Sequence, residues 1–364
     1  MSESEIEIDV EAWLARLNQN ESLSEPAIEL LRETIESVPD VLLPLSLKIA
    51  ARDQGPMAGV LTEIIDHFDD LPIMMDLAQA MPLRTINLIA FAPVLERRIL
   101  FLLTTTGAGA GNIESKTLLA KHSNNLAVRL LDIGELEAAH PLSEAATQIF
   151  EEIADRQPGK FLPDLAAALN TQALISGHIG KVDRAIKAAS EAVEIYRGFI
   201  QNGALHHREN LALSLKGRAD RLSRCDPPRL SLALRDVEES VAIYRSMDDG
   251  EKSAGLAASL VSLANHLLAA NRPSEALKEI QSAKKIYDYL QARDRDEFLP
   301  ALAACLLAAT NCRSANHLWP AALEAAHSAL DVLDLLRRQN TRLFEEDYAF
   351  AKANIVTIQL HLRD

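Results

Sequence analysis

The segment ILFLLTTTGAGAGN, Ile99 to Asn112, holds the most suggestive chemistry in the chain. An apolar run entering Gly107, Gly109 and Gly111 imitates a strand that feeds a phosphate-binding loop, where backbone N–H groups and a helix N-terminus face the phosphate. The third glycine is misplaced for GxGxxG, no Gly-Lys-Ser/Thr follows, and no β-α-β alternation surrounds it. The segment therefore reads as a connection between helices. Cys305 and Cys312 share one helix face, but no further ligands stand at metal-binding spacing, so both read as small core thiols. Cys225 falls at a turn and is a candidate for exposure. His206 and His207 are adjacent in a connecting loop, and neither HExxH nor GxSxG occurs. No catalytic residue, cofactor or metal is expected.

The elements that would carry any site are set by a repeat. FLPDLA at Phe161 returns as FLPALA at Phe298, and EAVEIYR at Glu191 returns as ESVAIYR at Glu239 and SAKKIYD at Ser282. Two markers follow: Leu119, Leu165, Leu211, Leu256 and Leu302 open a helix, and Phe150, Tyr196, Tyr244, Tyr287 and Leu333 stand late in the next. First and second markers are 31, 31, 33, 31 and 31 residues apart; successive units are joined by 15, 15, 12 and 15. Asp226-Pro227-Pro228 marks an insertion in the long interval, and Met247-Asp248-Asp249-Gly250 a tightened loop in the short one. Within a unit, Leu165, Leu169 and Ala173 recur at helical spacing, as do Ala185, Ala189, Val193 and Tyr196. Gly134, Gly180 and the prolines at 273 and 320 supply helix stops and starts. Residues 119–345 thus read as five antiparallel helix pairs, and 346–364 as a capping helix. The third unit has Asp226 and the fifth no glycine at the turn, so shifted turn geometry is expected in both.

Ahead of the array, residues 1–118 carry 19 acidic and 8 basic residues. Helices are expected at Val10–Asn18, Glu25–Val38, Val41–Ala51, Met57–Phe68, Ile73–Met81, Leu83–Ala90 and Pro93–Leu103. Residues 1–72 read as a helical module or cap, and 73–118 as a degenerate repeat with the glycine-rich loop. The fold class is all-α, an α-α superhelix with an irregular helical N-terminal region.

Composition narrows the function. The net charge is −15 over 364 residues, which disfavours a phosphate backbone as partner. Thr85–Leu95 is the best membrane candidate, yet it spans 11 residues where about 20 are needed. The acidic start lacks a signal-peptide pattern and three cysteines cannot build a disulfide framework, so a cytoplasmic setting is expected, without nucleic acid or membrane partners.

Leu169, Asn170, Ala173, Gly180 and Ala185, with Gly134 and Ala139 one unit earlier, resemble the tetratricopeptide repeat. The period of about 45 residues resembles the long variant of multi-repeat bacterial proteins and fungal signalling proteins. The resemblance implies a non-enzymatic scaffold that binds a protein or peptide along a groove lined by the first helix of each unit. Five residues past the first marker stand Asn124, Asn170, Lys216, Val261 and Leu307; nine past it stand Val128, Leu174, Asp220, Asn265 and Asn311. Asn125, Thr171, Arg221 and His266 adjoin them. Asn both donates and accepts, so such a row can hold an extended peptide backbone, or it can bond helix to helix; both readings stay open. A regulatory or sensor subunit of a bacterial multi-protein complex is the alternative implied function. A homo-oligomer is compatible with either.

Overall fold

The computed structural model describes residues 3–20, 24–82, 87–105, 111–247, 253–293, 297–339 and 341–363. Among them the regular structure is entirely helical. The chain forms two compact units, Met1–Arg156 and Gln157–Asp364. Their boundary lies inside the stretch 119–345 expected to form the array.

The first unit contains α1 (Glu3–Asn18), α2 (Glu25–Ser37), α3 (Pro39–Arg52), α4 (Met57–His67), α5 (Leu71–Ala80), α6 (Phe91–Thr105), α7 (Ile113–Asp132) and α8 (Leu136–Arg156). Proline stands in the first turn of α2, α3 and α5, where its missing N–H has no helical partner to lose. Leu14, Leu31, Ile35, Leu43, Leu61, Leu77 and Leu103 meet in one core, so α1 to α6 pack as a body rather than a file of pairs. Asn18 ties this body together while fully buried. Its Nδ2 donates to the Asp53 carbonyl (3.0 Å), and its Oδ1 accepts from the Met57 N–H (3.0 Å) at the start of α4, doing the work of a cap. Gly55 lies so close that a Cβ there would fall 1.9 Å from the Asn18 carbonyl oxygen.

Several expectations change here. The position 72/73 boundary falls within the first turn of α5. Of the helix expected at 83–90, residues 83–86 lie outside the described residues and 87–90 form a turn leading into α6. As expected, Ile99 to Leu103 is helical, and α6 runs on to Thr105. Gly107 and Gly109 lie outside the described residues; Gly111 adopts φ 110° and Asn112 caps α7 by accepting the Ser115 N–H at 2.7 Å.

The second unit contains α9 (Pro158–His178), α10 (Val182–Gln201), α11 (Arg208–Leu222), α12 (Leu230–Arg245), α13 (Ala254–Ala269), α14 (Pro273–Gln291), α15 (Leu299–Ala315), α16 (Trp319–Gln339) and α17 (Thr341–His361). Helices pair in sequence, α9 with α10 through α15 with α16. The first helices also touch in series, α9 to α11, α11 to α13 and α13 to α15, and the second helices make no such series among the described residues. The first helices therefore form the tighter inner row. Leu165, Leu211, Leu256 and Leu302 are buried, as are Tyr196, Tyr244, Tyr287 and Leu333. Leu119, in α7, is only half-buried.

The turns explain the spacing. In the hairpins after α7 and α9, Gly134 and Gly180 both adopt φ 79°, and the next N–H reaches back to a carbonyl five residues earlier, Glu135 to Leu130 and Lys181 to Ser176, each at 2.8 Å. After α13 and α15 the same bond forms from Arg272 to Leu267 and from Leu318 to Arg313, with Asn271 (φ 58°) and His317 (φ 57°) in the left-handed role. The fifth unit thus keeps the common turn without glycine, contrary to expectation. The third does depart: Asp226–Pro227 is cis, and the closing bond runs from Arg229 to Leu222. The loop expected to be tightened has residues 248–250 outside the described residues.

Candidate functional site

The inner row offers one continuous polar cluster, built on α11 and α13. Positions 216 and 220 are one turn apart on α11, and Lys216 Nζ lies 2.9 Å from Asp220 Oδ2. From α13, Ser262 Oγ donates to Asp220 Oδ1 at 2.5 Å and His266 Nε2 stands 3.3 Å from the same oxygen. Ser262 and His266 are themselves 3.2 Å apart. Burial pushes the Asp220 carboxyl up, but the Lys216 charge and the hydrogen bonds from His266, Ser262 and Lys216 outweigh it and hold the group well below the usual carboxylate range. The carboxylate is therefore the joint between two repeats.

Asn170 is a second joint. Its Nδ2 donates 2.8 Å to Ser214 Oγ on α11, and Ser214 donates to the Asn210 carbonyl at 2.8 Å. Thr171 is buried and returns its hydroxyl to the Ala167 carbonyl at 3.3 Å. Arg221 is half-buried and donates to the carbonyls of Gly217 (2.8 Å) and Ala173 (3.4 Å), reaching from α11 to α9. Asn265 and Asn311 are exposed, whereas Val261 is half-buried and Leu307 buried. In the first unit, Asn124 is half-buried and Asn125 exposed on α7. The site predicted as one row is thus mixed: Asn170, Asp220, Arg221 and His266 join helices, Lys216 pairs with Asp220 within α11, and Asn265 and Asn311 face solvent.

Beside the Asp220 joint lies a cleft of about 140 Å³, lined by Leu174, Gly177, His178, Val182, Asp220, Arg221 and Arg224. Arg224 and Leu174 are exposed. Burial lowers the Arg221 pKa, opposed by Asp220 and assisted by the like charge of Arg224. Burial also lowers that of His178, as do the charges of Arg221 and Arg224. Asp220 is already matched by Lys216, which leaves the two arginines as the excess charge of the cleft.

His178, Ser214, Arg224 and Ser262 were not singled out from sequence. Asn170–Ser214 and Asp220–Ser262 are separated by 44 and 42 residues, close to the repeat period, so pairing polar residues at that offset would have found the joints. Cys225 is buried rather than exposed, its thiol near the carbonyls of Leu222 (3.1 Å) and Pro227 (3.2 Å). Burial pushes the Cys305 and Cys312 thiols up to about 12. His207 lies against Phe199 at a centroid distance of 4.8 Å, in the short 3-10 turn before α11. Among the described residues, no three His, Cys, Asp or Glu side chains gather as a metal site, and no helix is long and apolar enough to cross a membrane.

No known protein family and no curated protein matches this sequence. Solved structures do match in fold. BtubC (BKLC) from P. vanneervenii aligns over 68% of this chain and 92% of its own, with a TM-score of 0.52 and 17% identity. A Rap protein complexed with competence and sporulation factor aligns over 98% of both chains at 13% identity, with a TM-score of 0.46. A thermophilic TPR protein of Thermus thermophilus covers 64% of this chain and 99% of its own at 14% identity and a TM-score of 0.38. The chain has the all-α fold of the tetratricopeptide-like repeat proteins.

Proposed function

We propose that this protein is a non-enzymatic scaffold that binds a protein or peptide partner on the inner row of α9, α11, α13 and α15. The observation that carries the reading is the cleft at Arg221 and Arg224, two excess cations beside an exposed leucine in a chain of net charge −15. Such a cleft suits an acidic side chain or carboxylate flanked by an apolar residue. Asn265 and Asn311 stand further along the same row, exposed where a peptide backbone would lie. The Asp220 and Asn170 joints hold the row in register rather than contacting the partner. Three buried cysteines fit a reducing, cytoplasmic setting. The irregular α1 to α6 body serves as the partner-specific module or cap.

The test begins with affinity purification of the native partner at physiological salt. Its dissociation constant is then measured by calorimetry for the wild type and for Leu174→Asp/Arg224→Glu. Both positions are exposed, so melting should be unchanged while affinity falls about tenfold or more, corresponding to ~1.4 kcal/mol. Unchanged affinity refutes the inner-row reading and directs attention to residues 1–118.

A further inference from the structure

The helix α17 packs one face against the array and leaves the opposite face open. Phe344, Ala351, Ile355 and Ile358 are buried, Ile355 and Ile358 beside Ala322 and Ala326 of α16. On the other side, Val356 is 58% and Leu360 56% exposed. With Ala349 and Ala353, also exposed, they recur at intervals of four, three and four, the seam spacing of paired helices. Exposed Glu346 precedes this seam and exposed Arg363, in the turn that closes the helix, follows it.

These six positions are symmetric about the midpoint between Asn354 and Ile355. An antiparallel pairing about that point sets Ala349 against the partner's Leu360 and Ala353 against the partner's Val356, so each small residue faces a large one. It also sets Glu346 against the partner's Arg363 at both ends. A parallel pairing would place acid on acid and base on base. A seam complementary to its own reverse fits a second copy of itself, because a two-fold interface must satisfy every contact twice.

We propose that the protein self-associates through α17, as an antiparallel two-fold pair centred between Asn354 and Ile355. The pairing covers Val356 and Leu360 and joins acidic and basic ends of a helix about 31 Å long. The proposal is independent of what the inner row binds.

The experiment is sedimentation velocity on the full chain from about 1 to about 100 µM. The wild type should pass from monomer to dimer within that range. Leu360→Asp should abolish association, and far-ultraviolet circular dichroism should show its helicity and melting unchanged. Glu346→Arg alone and Arg363→Glu alone each create two repulsive contacts per dimer and should weaken it about fivefold or more. The double variant should recover wild-type association, an outcome that the surface charges alone test even where Leu360→Asp disturbs folding. A monomer at every concentration, association that survives Leu360→Asp, or a double variant no better than the singles overturns the proposal.

Discussion

Replacing Asp220 by alanine removes the acceptor shared by Lys216, Ser262 and His266 and separates α11 from α13 at their joint. A hydrogen bond to a charged group contributes about 1.5–3 kcal/mol. The carboxylate is 22% exposed, so solvent screens part of the Lys216 attraction, and the three contacts together should amount to about 2–4 kcal/mol. Urea unfolding followed by circular dichroism should therefore reach its midpoint at lower denaturant. The pH dependence adds a signature that simple loss of packing lacks. The folded pKa of Asp220 is depressed, so its contribution is fully present above the unfolded value, about 3.9, and drains as pH falls from there toward the folded value. Wild type minus variant stability should thus shrink as pH falls below about 4. His266→Ala combined with Asp220→Ala should cost less than the sum of the two singles, because they share a contact. A variant that unfolds at the wild-type urea concentration, or a stability difference that stays constant into acid, refutes the account of Asp220 as a joint.

Two further substitutions test the packing of the array. Arg218 clamps the fully buried Asp236 with bonds of 2.7 and 2.9 Å, so Arg218→Ala leaves this buried charge only the longer contact to the exposed Arg235, 3.7 Å away, and should cost about 3 kcal/mol in urea unfolding. An Arg218→Ala/Asp236→Ala double variant should be less damaged than the single one, and equal damage would show that the pairing is not the cause. Gly255→Ala should destabilise by about 1–3 kcal/mol, although alanine is the better helix former, because its Cβ would fall 2.3 Å from the buried Tyr244 ring. A raised melting temperature would mean that the ring has room to move.

Much of the architecture was legible because it is written in short-range chemistry. Leu165, Leu169 and Ala173 fall on one side of a helix by spacing alone, and proline in the first turn of α14 acts through its own missing N–H. The count from Leu333 to Tyr348 lands inside α17 for the same reason: a hairpin repeat conserves length. The first unit was less legible. A helix stands at six of the seven expected segments, but 87–90 turned out to be a turn, and no periodicity reveals that α1 to α6 share one core.

Spacing alone set out a row of candidate positions, Asn170, Lys216 and Asp220 among them; what these side chains do there it did not show. Lys216 reads as an available cation until Asp220 is found beside it, and Asn170 as a ligand until Ser214 takes its amide. The fifth turn needed no glycine because His317 accepts the left-handed conformation once the flanking helices hold it. Cys225 is buried at a turn because the chain after it folds back and brings the Pro227 carbonyl to its thiol. Helix and hairpin are decided by neighbours within a few residues, where backbone sterics and hydrogen bonds act, and one sequence suffices to read them. Side-chain partners 42 to 48 residues apart are decided by how one hairpin seats against the next, and only the stacked structure brings Ser262 to Asp220 and Arg221 to Ala173.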